Sequence, residues 1–102
     1  MKKNQPTTVE VTKADITTGT ELDGASMSVL DKDGNVIDSW TSVKDSPHVI
    51  KRLQVGKTYI LREELAPYGY LRATDVEFTI SDTAEVQKVK MEDEVPVARL
   101  LV

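Results

Sequence analysis

Tyr59-Ile60-Leu61-Arg62-Glu63-Glu64-Leu65-Ala66-Pro67-Tyr68-Gly69-Tyr70 begins as a strand and ends as a turn. Tyr59, Leu61 and Glu63 fall on one parity, and successive strand side chains point to opposite faces. Tyr59 and Leu61 mark that parity as the inward one, so Glu63 continues the apolar side of its strand. Ala66 to Tyr70 is rich in breakers and closes the segment. Two distant segments repeat the pattern. Val9, Val11 and Lys13 share one parity, and Val89, Met91 and Asp93 share another. In each case an apolar series runs into a charge. Burying an unpaired ammonium or carboxylate costs several kcal/mol even after relaxation. One lysine and two carboxylates at three strand ends are therefore expected to form one constellation.

The remainder of the chain reads as β. Val9 to Lys13 alternates and is rich in β-branched residues. Thr18-Gly19 and Asp23-Gly24 mark turns, and Ala25 to Leu30 reads as a second strand. Asp31-Lys32-Asp33-Gly34-Asn35 is a hairpin signal, its Asp-Gly pair suited to the positive φ angles of tight turns. Asn35 to Ser42 returns with Val36, Ile37 and Trp40. Ser42 to Pro47 is a polar loop, His48 to Leu53 a strand, and Val55-Gly56-Lys57 turns into Thr58 to Glu64. Val76 to Ile80 and Glu85 to Glu92 complete the set around a turn at Ser81 to Ala84. About seven short strands at intervals of roughly 8–15 residues predict an all-β sandwich or barrel.

The 102 residues make one domain, able to bury a modest core. Composition, 39% hydrophobic and 29% charged, is that of a soluble globular protein. A net charge of −4 argues against nucleic acid as a partner. It gives no attraction to an anionic membrane surface, and no apolar run is long enough to span a bilayer. Met1-Lys2-Lys3 starts like a secretion signal, but Asn4-Gln5-Pro6-Thr7-Thr8 follows instead of an apolar stretch. If the protein is secreted, its targeting signal lies outside this sequence. The absence of cysteine removes disulfides, thiolate nucleophiles and Cys-based zinc sites. Met1 and Pro6 are spaced like Met91 and Pro96, each pair leading into an apolar-rich stretch. This fits a module over residues 1–94, with 95–102 a linker or the start of a following module.

The twelve residues Tyr59 to Tyr70 resemble the Y-x-L-x-E-x-x-A-P-x-G-Y motif of Cna B-type domains. These are the SpaA-like, prealbumin-like modules of Gram-positive pilins and surface adhesins. Val11-Thr12-Lys13-Ala14-Asp15, Thr18-Gly19, Leu22 and Gly24-Ala25 are similar to that family's V-x-K-x-D…T-G…L-x-G-A opening. Asp33-Gly34, Val55-Gly56-Lys57 and Met91-Glu92-Asp93-Glu94 also fit, so the resemblance covers roughly residues 9–94. It implies a prealbumin-like, immunoglobulin-like β-sandwich. It also implies an isopeptide bond between a first-strand lysine and a last-strand Asn or Asp, assisted by the motif glutamate. Carried onto this chain, these are Lys13, Asp93 and Glu63, the residues that parity had already singled out.

The chemistry suits those residue types. A lysine attacks a carbonyl only as the free amine, and apolar burial disfavours its charged form. A buried aspartic acid is pushed toward its neutral, electrophilic form. Strand pairing makes the encounter intramolecular, and a protonated Glu63 polarises the Asp93 carbonyl and moves protons. With Asp rather than Asn, the leaving group is water. The reaction occurs once per molecule, so the protein is not expected to be an enzyme. The plain alternative is a buried salt-bridge network. Glu64 is an alternative to Glu63, and Glu92 or Glu94 to Asp93, but parity points all three outward unless a bulge intervenes.

The expected function is a structural stalk or spacer module at the Gram-positive cell surface. Expected partners are neighbouring modules of the same protein and a host matrix protein, with the isolated module monomeric. A second reading is an adhesive module without the bond, holding a host protein or glycan through the Ser42–Pro47 or Ala66–Tyr70 loops. A cluster of exposed aromatics would favour it. A transthyretin-like enzyme is disfavoured, because His48 is the only histidine. No cofactor or metal is expected: Asp31, Asp33 and Asn35 are spaced like the start of a calcium loop, but the later glutamate is missing. Trp40 is expected to pack across strands, Tyr68 and Tyr70 to pack their connection on the sandwich, and Lys51, Arg52 and Arg62 to face solvent.

Overall fold

The structure, a computed structural model, describes residues 6–96. Of the inferred repeat, Met1 and the stretch at 97–102 lie outside the described residues. Seven strands form: β1 (Thr8–Asp15), β2 (Ser26–Leu30), β3 (Val36–Thr41), β4 (His48–Lys51), β5 (Thr58–Leu65), β6 (Val76–Thr79) and β7 (Val86–Asp93). They build a three-stranded sheet in the order β4-β1-β7 and a four-stranded sheet in the order β3-β2-β5-β6. β1 and β7 run parallel, and every other pairing is antiparallel. Between the sheets, Val9, Val11 and Met91 of the first meet Met27, Val29, Tyr59 and Leu61 of the second. The all-β sandwich expected from the alternation is the fold observed.

The departures from the sequence reading are local and have local causes. β4 stops at Lys51 rather than reaching Leu53, because Arg52 adopts a left-handed φ of 68°. That bend lets the Arg52 N–H donate to the Thr7 carbonyl (2.9 Å) and the Thr7 hydroxyl to the Leu53 carbonyl (2.7 Å). In the β2–β3 hairpin only Gly34 takes a positive φ, 89°. The turn is therefore a longer loop with a register shift at Val29/Leu30, not a two-residue one. Asp31 Oδ1 accepts from the Asp33 and Asn35 N–H groups, which gives that acidic spacing a scaffolding role. Val36 and Ile37 are exposed, since β3 is an edge strand.

The two open sides of the sandwich are closed differently. β3 and β4 are edges of opposite sheets, and Trp40 stacks on His48 across them with ring centroids 3.9 Å apart. His48 Nε2 also lies 2.8 Å from Asp38 Oδ2. Trp40 thus packs across strands as expected, and His48 is part of the same clasp. On the other side, where β6 and β7 are the edges, a groove of about 420 Å³ remains. Ile16, Leu71, Val76 and Met91 supply its apolar lining.

Candidate functional site

Parallel pairing places Lys13 opposite Met91 and Asp15 opposite Asp93. Lys13 and Asp93 are thus diagonal neighbours on one inward face, within reach of a long side chain. Glu63 arrives from the other sheet, on β5 opposite Met27 of β2. All three are buried, with 4%, 0% and 1% of Lys13, Glu63 and Asp93 exposed. Lys13 Nζ contacts Asp93 Oδ1 directly and lies 3.4 Å from Glu63 Oε2. The residues that parity brings together in sequence are together in space.

Contact is not satisfaction here. Lys13 Nζ, Glu63 Oε2 and both Asp93 carboxyl oxygens are fully buried, and none makes a hydrogen bond of acceptable geometry. Buried polar atoms held by ion pairing without well-formed hydrogen bonds are uncommon in native cores. Only Glu63 Oε1 is paired, accepting from the Ala73 N–H at 2.7 Å. Burial pushes the Glu63 carboxyl above its ordinary pKa, and the facing Asp93 adds to this. The Ala73 N–H and the Lys13 charge oppose the shift without cancelling it. The shift extends to higher pH the range in which Glu63 keeps its proton, and the protonated carboxyl is the form able to give a proton to a neighbouring oxygen.

The alternative carboxylates stay outside. A bulge does interrupt β2–β5 pairing at Ser26/Met27, opposite Glu63–Leu65. It leaves Glu63 inward and turns Leu65 out, 65% exposed. Glu64 is exposed and accepts from the Ser28 hydroxyl at 2.8 Å, while Glu92 and Glu94 are exposed too.

Several residues around the triad were missed from sequence. Asp15 lies on the same inward parity as Val9, Val11 and Lys13 and is 8% exposed, so alternation carried its signal. Its Oδ1 accepts from the Thr17 and Thr18 N–H groups and its Oδ2 from the Tyr70 hydroxyl at 2.7 Å. Tyr70 therefore packs its connection down as expected, but Tyr68 does not: it is fully exposed. The Tyr70 N–H donates to the Pro67 carbonyl (3.0 Å) across a turn with Gly69 at φ 88°. A turn of that kind sends its second residue outward. Arg62 is not merely solvated either; its guanidinium forks onto Asp75, with Nη2–Oδ2 at 2.9 Å. The five aromatics form no exposed cluster: Trp40 is stacked, Tyr59 and Phe78 pack on the core, and Tyr70 is latched.

Residues 7–95 match the SpaA prealbumin-like fold domain family, and the chain belongs to that family. Among curated proteins, no sequence matches. Solved structures share the fold. The TIE protein of Bacillus anthracis superposes with a TM-score of 0.75 at 24% identity, over 88% of this chain and 17% of that one. The pilus 2b backbone protein of group B streptococcus gives 0.75 at 21%, over 89% and 42%. The shaft pilin SpaA of Lactobacillus rhamnosus GG gives 0.75 at 15%, over 96% and 50%. The chain spans at most half the length of these three relatives.

Proposed function

We propose that this chain is a stalk or spacer module of a Gram-positive cell-surface adhesin or pilin, its first and last strands joined by a Lys13–Asp93 isopeptide bond. The observation that carries the bond is the fully buried contact of Lys13 Nζ with Asp93 Oδ1, with Glu63 Oε2 3.4 Å from the same nitrogen. The Lys13 ammonium first passes a proton to the Asp93 carboxylate it contacts, and the neutral amine then attacks Cγ of the resulting carboxylic acid. Glu63 gives its proton to the departing oxygen and regains one from the nitrogen. An amide and one water result, and two charged groups become one neutral one. The reaction runs once, so there is no turnover. We assign residues 1–94 to the module and 95–102 to a linker or the start of a following module in the same cell-surface protein. Membership of a pilin-type domain family supports the stalk role. So does the parallel β1–β7 pair, which sends the chain in at one end of the sheet and out at the other.

Intact mass tests the bond. The folded protein is expected to weigh one water less than its sequence, and Lys13→Ala, Asp93→Ala and Glu63→Ala are expected to restore the full mass. A full mass in folded wild-type protein leaves a salt-bridged spacer without a cross-link.

A further inference from the structure

Residues 66–73 of the β5–β6 connection do more than join the two strands. Tyr70 and Leu71 straddle the ends of the two strands that carry the reactants. The Tyr70 hydroxyl donates to Asp15 Oδ2 at 2.7 Å, at the end of β1. The Leu71 N–H donates to the Glu94 carbonyl at 2.8 Å, just past β7. Asp15 is held in turn, since its Oδ1 caps the Thr17 and Thr18 N–H groups at 2.7 and 3.0 Å. The Ile16 N–H ties the same corner to the Asp93 carbonyl at 2.9 Å. Beyond the latch, Arg72 Nε reaches the Glu63 carbonyl (2.5 Å) and the Ala73 N–H reaches Glu63 Oε1 (2.7 Å).

We propose that Tyr70 and Asp15 are positioning residues for the Lys13–Asp93 condensation: their hydrogen bond latches the β5–β6 connection, and through the Ala73 N–H it aims the Glu63 carboxyl at the reacting pair. This rests on the triad being reactants. The terminal torsion of a glutamate is broad and roughly two-fold, so packing alone fixes it poorly. With Oε1 anchored on Ala73, Oε2 is left facing Lys13. Without the anchor the carboxyl is free to turn, and a small misplacement of a catalytic group is expensive in rate. Asp15 holds its carboxylate below the ordinary range because the Tyr70 hydroxyl and the backbone N–H groups favour its charge, in keeping with a strong latch.

The test follows water loss by intact mass after refolding, together with the NMR signal of the Ala73 amide proton. In wild type that signal is expected downfield, as befits a bond to a carboxyl oxygen. Tyr70→Phe and Asp15→Ala are each expected to slow water loss by roughly tenfold to a hundredfold and to move the Ala73 signal upfield. Asp15→Asn is expected to stay near wild type, its oxygen keeping the cap and its amide meeting Tyr70. Water loss at the wild-type rate in folded Tyr70→Phe or Asp15→Ala overturns the proposal. So does slowed loss with the Ala73 signal unmoved, since Tyr70 then acts through general stability alone. Failure of Tyr70→Phe to fold leaves the two Asp15 variants to decide by the same readouts. No water loss in wild type removes the reaction itself, an outcome distinct from wild-type loss that is indifferent to the latch.

Discussion

Burial and the facing Asp93 push the Glu63 carboxyl up, whereas the hydrogen-bonded Arg62 guanidinium holds Asp75 down. The two shifts act on stability with opposite signs. The unfolded chain gives up the Glu63 proton near pH 4, roughly the ordinary glutamate value, while the folded chain keeps it to higher pH. Within that window the folded state binds more protons, so stability is full below it and declines as pH rises through the folded value. Asp75 stabilises above the ordinary aspartate range, and its contribution is lost as pH falls through its depressed folded value. In Lys13→Ala no amide forms and the opposing charge is gone. Urea midpoints of that variant are expected to fall as pH rises above about 4. Adding Glu63→Gln is expected to flatten the fall, and an unchanged slope would show that burial of Glu63 carries no such cost.

At the scale of strands and turns, alternation tells which face a residue takes but not which strand lies beside it. The inward series ending in Lys13, Glu63 and Asp93 were legible for that reason, as were the positions of all seven strands. The parallel pairing of β1 with β7 was not, because nothing in either segment names its neighbour. The left-handed bend at Arg52 was hidden because an arginine carries no turn signal. Tyr68 and Tyr70 were separable only once the Gly69 turn set their directions. β5 gives the cleanest test of face against composition, since Leu61 is fully buried and Leu65, four residues on, is 65% exposed beyond the bulge. Leu61→Ala is expected to cost about 2–5 kcal/mol and Leu65→Ala less than about 0.5 kcal/mol, by chemical denaturation. Similar losses at both positions would mean that Leu65 is packed after all.

For the molecule as a whole, the direction of the β1–β7 pair decides how it carries load. The chain enters β1 at Thr8 and leaves β7 at Asp93, and parallel pairing puts these at opposite ends of one sheet. A pull on the two ends therefore shears β1 against β7, the pair on which the rest of the sandwich hangs. The proposed amide between Lys13 and Asp93 would bridge that shear plane and take the intervening residues out of the force path. It would also close a loop of about 80 residues, worth roughly 4–5 kcal/mol if an amide constrains the unfolded chain as a disulfide does. Asp93→Ala is thus expected to unfold at lower urea than wild type. In single-molecule extension with handles at the two ends, Asp93→Ala is expected to release a further step of about 260–290 Å, the extended length of about 80 residues. The wild-type chain is expected to give no such step at any force below covalent rupture. The same step in wild type would mean that β1 and β7 are held by hydrogen bonds and ion pairing alone.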